Sequence, residues 1–172
     1  QFAGEPLKNI ALSIDAVTVR GEVMVTKTGL EGGAVYALGR PIRDAIESEG
    51  RATVTVDLVP DLDADEVWRR IGKRRDRDST STALKRTLGL RPVAIGLLRE
   101  ATGNQIPQKR SPLATLVQAV PITLISAAPI ERAISTAGGI AFDEVDEDFM
   151  LRQIPGTYAI GVELAERIEV LK

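Results

Sequence analysis

Hydrophobic positions change period twice along the chain. Ile10, Leu12 and Ile14 alternate with polar residues, and Val17, Val19, Val23 and Val25 do so again after Asp15-Ala16, which predicts an N-terminal pair of strands. Leu38, Ile42, Ala45 and Ile46 then recur at helical spacing, with Gly39 and Pro41 placed to kink or restart that helix, because proline lacks the N–H and crowds the preceding turn. Val54, Val56 and Leu58 return to alternation.

From Asp61 the pattern is helical. Asp63 stands as a cap, Glu66 as the acid at the third helical position, and Leu62 and Val67 as flanking apolar residues, so a helix is predicted from about Ala64. Leu84 and Leu88 lead to Gly89-Leu90, a glycine stop with an apolar follower, and Pro92 opens a helix running to Ala101. Ser111-Pro112 opens another, carrying Leu113, Leu116, Val117 and Val120. Strand signals resume at Ile122 and Leu124, then at Ala133 to Ser135, Phe142 to Val145 and Gly156 to Ile160.

Strands on both sides of a helical stretch predict an α+β fold: a small β-barrel-like subdomain built from both chain ends, residues 1–60 and 120–172, with an all-helical subdomain, residues 61–119, inserted into it.

Composition narrows the chemistry. Net charge is −2 over 172 residues, which gives no general electrostatic reason to bind nucleic acid or an anionic membrane. With neither cysteine nor histidine, disulfides, thiol nucleophiles, the usual zinc sets and Ser-His-Asp arrangements are excluded. No apolar run approaches the roughly 20 residues of a membrane helix and no signal-peptide pattern opens the chain, so a cytoplasmic location is expected. The opening Gln1-Phe2-Ala3-Gly4 runs straight toward a strand, as in a piece of a longer protein.

Two glycine-rich loops are candidate sites. Thr28, Gly29, Glu31, Gly32, Gly33 and Tyr36 lie where a loop opens a helix, an arrangement suited to a phosphate, a carboxylate or a polarised carbonyl. The same glycines also suit a plain strand-to-helix turn that needs positive φ, and the spacing is not G-x-G-x-x-G. Thr136, Gly138 and Gly139 form the second loop, open equally to a bulge or tight corner. The basic run from Arg69 to Arg77 reads as a helix end and surface loop rather than a nucleic-acid contact, since Asp76 and Asp78 close it. Asp143, Glu144, Asp146, Glu147 and Asp148 lack the EF-hand glycine and terminal Glu; a polar hairpin turn without metal is expected.

Three segments in order, "FAGEPLKNIALSI", "VRGEVMVTKTGLEGGAVYAL" and "PIERAISTAGGIAFDEVDEDFMLRQIPGTYA", resemble the insert region of a family of bacterial flavoproteins, NAD(P)/FAD-dependent oxidoreductases with a split Rossmann domain. "DLVPDLDADEVWRRI" and "RPVAIGLLREATG" resemble the helical part of that insert. The resemblance runs to about Ala159; the final "IGVELAERIEVLK" departs from it.

It implies that both glycine loops face the flavin and shape a substrate pocket, with Glu31 and Tyr36 as the side chains to consider for acid-base work. The FAD-binding Rossmann domain of the same parent would be the partner. No dinucleotide fingerprint precedes the first strand, so FAD is expected in the parent, with none held by this chain alone and no activity in isolation. The alternative is a non-enzymatic module that binds a protein or an anionic ligand through the glycine turns or the basic segment.

Overall fold

The computed structural model describes residues 2–129, 140 and 142–159. They fall into two compact units, Gln1–Ala127 and Ala128–Lys172.

The first unit opens with β1 (Pro6–Ile14) and β2 (Val17–Val25), an antiparallel hairpin whose Ile14↔Val17 pair leaves Asp15-Ala16 as its turn. Asp15 takes the left-handed φ of 50° that this tight reversal imposes. A bulge shifts the register between Leu7 and Ile10, where Asn9 is also left-handed at φ 53°. The two-residue β3 (Leu30–Glu31) pairs with the end of β2, and the chain then forms α1 (Gly33–Ala37) and α2 (Gly39–Glu49). The break between these helices is the restart that Gly39 and Pro41 foretell.

β4 (Ala52–Asp57) lies against β1, and after the helices β5 (Val120–Leu124) pairs with β4. The result is one curled antiparallel sheet in the order β3-β2-β1-β4-β5. The expected α+β class holds: among the described residues this sheet is joined by six helices.

Between β4 and β5 the chain is helical: α3 (Ala64–Ile71), α4 (Thr80–Leu88), α5 (Pro92–Ala101) and α6 (Arg110–Gln118). α3 starts as its sequence dictates, with the Asp63 carboxylate accepting the Glu66 N–H at 2.7 Å. α4 stops at Gly89, φ 70°, whose N–H reaches the Lys85 carbonyl while the buried Leu90 follows. α6 begins at Arg110, one residue before the expected opening at Ser111.

Sheet and helices share one core. Leu12, Val54 and Val56 from the strands form a single buried cluster with Leu84, Leu98, Leu113 and Val117 from the helices. Each such burial stabilises by roughly 1.5–3 kcal/mol, so separating the helical block from the sheet would expose much of what holds the unit together. At the N-terminus, Phe2 packs its ring over Gly96 of α5; a Cβ there would lie 2.3 Å from the ring.

In the second unit Phe142–Glu144 is a turn of 3₁₀ helix, not the expected strand, and only Val145 continues into a bridge, to Leu151. The reason is local: the Asp146 carboxylate accepts the N–H groups of Asp148 and Met150, which favours a turn over extended pairing. This is the polar turn that the acidic run suggests. Toward the expected strand at Gly156, Gly156 is left-handed at φ 83° and Tyr158 alone bridges, to Met150. The expected strand at Ala133 to Ser135 lies outside the described residues, as does Ile160.

Candidate functional site

The glycine turn is built by a residue just before it. Thr26 Oγ1 accepts the N–H groups of Gly29 at 3.0 Å and Thr28 at 3.3 Å, and the Thr26 N–H donates to the Gly29 carbonyl at 2.9 Å. These bonds fold residues 26–29 back on themselves, so that Leu30 and Glu31 return beside Val25 and Met24. Thr26 escapes a reading centred on glycines, although Thr hydroxyls that bond nearby backbone N–H groups are a recurrent way of closing such turns.

The three glycines are not equivalent. Gly32 has φ 116°, closed to ordinary L side chains, and a Cβ there would stand 3.2 Å from the Glu22 carbonyl oxygen on β2. Its own carbonyl accepts the Val35 and Tyr36 N–H groups, each at 3.0 Å, which starts α1. Gly29 and Gly33 have neither constraint: a Cβ at either meets open space. The positive-φ requirement therefore falls on Gly32 alone. On the neighbouring turn Ala34 is buried against Gly21 of β2, which seats α1 on the strand.

Of the expected side chains, Tyr36 is 50 % exposed on α1, Glu31 is half-buried on β3, and Met24 is a partly exposed apolar neighbour on β2. Thr28, Gly29, Glu31, Gly32, Gly33 and Tyr36 are thus brought together at one edge of the sheet. Thr136, Gly138 and Gly139 lie outside the described residues. The turn by itself forms no enclosed dinucleotide cradle, since Gly32 is filled from behind by β2 and the other two glycines face open space.

This architecture has a counterpart among known families: residues 1–135 match the model of the HI0933-like protein barrel and H2TH domain. The chain belongs to that family. It is a family of flavoprotein-related proteins, and its barrel-plus-helical description agrees with the curled sheet and the helices that follow it. A comparison with curated proteins finds no match.

In this HI0933-like domain the basic segment is engaged locally. Arg69 and Arg70 both pair with Glu66, Arg70 at 2.5 Å, and the two arginines hold that carboxyl below its usual range, Arg70 the more strongly. Arg86 reaches back to Asp78 at 2.8 Å and lowers its pKa likewise. Arg74 donates to Gln108 and to the Asp78 carbonyl. Arg110 stacks over the Trp68 ring, 3.1 Å from its centroid, and its Nε–H donates to the Trp68 carbonyl at 2.6 Å. Three of the run's six cations, Arg69, Arg70 and Arg74, are thereby engaged within the helical block, with Arg86 and Arg110 adding links from outside the run.

Asp57, where β4 leaves the sheet, behaves oppositely. Burial pushes its carboxyl up, against the Val59 N–H at 2.8 Å and the Arg20 charge, which pull it down. Among the described residues no group of three acidic, His or Cys side chains is placed to hold a metal, and no helix is long and apolar enough to cross a membrane.

Proposed function

We propose that this HI0933-like domain is the substrate-side insert of an FAD-dependent oxidoreductase. It covers the flavin and shapes the substrate pocket, while a Rossmann domain of the same parent chain holds FAD. Family membership over residues 1–135 carries the reading, and the resemblance of residues 136–159 extends it to the second glycine loop. The Gly32 turn supports it: the turn is fixed from behind by β2, while Gly29 and Gly33 leave space on which another domain could close.

Bound in the parent, the flavin supplies the redox chemistry, with NAD(P)H or oxygen as the other redox partner. The contribution of this chain is orientation and exclusion of water, through the 26–36 turn, the exposed face of Tyr36 and Glu31. Within the first unit, the sheet and the helices between β4 and β5 form one such wall. Alone, the chain holds no FAD and turns nothing over, because it lacks a dinucleotide loop. The setting is the cytoplasm.

The test is a flavin titration of the purified chain beside a version restored to its flanking Rossmann halves. Only the restored protein should bind FAD and bleach with NAD(P)H. A restored protein that stays colourless sinks the proposal and leaves the binding-module alternative.

A further inference from the structure

The seam between sheet and helices contains a cleft of about 390 Å3, the size of a small-molecule site. Lys8 stands at the β1 bulge, Leu58, Asp61 and Leu62 on the loop leaving β4, Arg70 on α3 and Arg91 at the start of α5. Three of the four charged side chains are cationic, and the acid is already paired with Arg20 at 2.9 Å. Arg70 is shared with Glu66, but among the described residues Lys8 and Arg91 make no ion pair. A positive cleft is thus cut into a chain whose net charge is −2. Its walls are apolar: Leu58, Leu90 and Val93 are buried behind it.

Two local choices work against stability here. Arg91 occupies the N-cap of α5 without capping it, where a neutral or acidic cap would contribute about 1 kcal/mol and a cation meets the positive end of the helix. Lys109 stands likewise at the N-cap of α6 without capping it, so what sets Arg91 apart is its place in the cleft wall. Asn9 holds a left-handed φ that leaves Lys8 beside the cleft.

We infer that this cleft binds a small anionic molecule, a phosphate or carboxylate on an apolar body, with Lys8, Arg70 and Arg91 around the anion and the leucine walls around the body. The site shares no residue with the glycine turn, so it stands or falls independently of the flavin reading.

The experiment is amide NMR of the whole 172-residue chain, titrated at constant ionic strength with phenyl phosphate, inorganic phosphate, benzoate and acetate. The aryl anions should produce saturable shifts at Lys8, Asn9, Leu90 and Val93, and bind at least tenfold more tightly than their inorganic or methyl counterparts. Preference between phenyl phosphate and benzoate identifies which head group the cations suit. Lys8→Gln with Arg91→Gln should weaken binding at least tenfold and keep the spectrum folded; Arg69→Gln, outside the cleft, should leave it unchanged. Shifts no greater than sodium chloride produces, or binding that survives the double substitution, overturns the inference.

Discussion

The Glu22 carbonyl oxygen lies 3.2 Å from the point where a Cβ on Gly32 would sit. Backbone angle and backbone neighbour both exclude a side chain there, whereas the adjacent Gly33 is free of both constraints. Gly32→Ala should therefore cost about 1–3 kcal/mol, and Gly33→Ala should be neutral or stabilising by up to about 1 kcal/mol. Denaturant melts of the two variants check this; equal losses would mean that the turn is not fixed at Gly32.

Asp57 makes the domain less stable as pH rises. Its folded pKa is above the ordinary 3.8, so the folded chain binds the proton more tightly; that stability is fully present below about pH 3.8 and is lost as pH climbs through the raised value. Asp57→Asn keeps an acceptor for the Val59 N–H and removes the titration. The variant should gain stability relative to wild type as pH is raised from 3 to 7, read from urea midpoints across that range, with no trend counting against the burial of this carboxyl.

Asp78 works in the other direction. Arg86 lowers its pKa below 3.8, so its contribution is present above that value and lost as pH falls through the lowered one. Asp78→Asn should melt earlier than wild type at pH 7, and the gap should close toward pH 2. A gap of constant size would assign the loss to packing instead of charge.

Trp68 is the sole tryptophan, which makes its stack with Arg110 visible. Arg110→Ala should alter its emission and increase quenching by acrylamide. Gly72→Ala should do the same while leaving both residues in the sequence, because a Cβ at position 72 would fall 2.2 Å from the Arg110 guanidinium and displace it. Unchanged emission in both variants would dissolve the stack.

Features of the fold that depend on near neighbours in sequence are legible from it. Asp63, the Gly89-Leu90 stop and Pro92 place helix ends to the residue because each acts on its own turn of backbone. The alternation of Ile10, Leu12 and Ile14 gives the strand but not the bulge at Asn9, which depends on pairing with β2. Gly29, Gly32 and Gly33 look alike in sequence; only β2, brought behind them, separates the one that must be glycine from those that need not be. Arg110 and Trp68 are 42 residues apart, and no periodicity joins them. At Phe142 the apolar alternation was outweighed by one carboxylate, Asp146, satisfying two backbone N–H groups.

The unbroken core that runs from β1 and β4 into α4, α5 and α6 has a mechanical consequence. Leucines from the helices fill the same interior as valines from the strands, so the helical block cannot swing away without opening that interior to water. Under the proposed insert role it would act as a wall and not as a lid, and a hinge that admits substrate would belong at the joints with the domains around it.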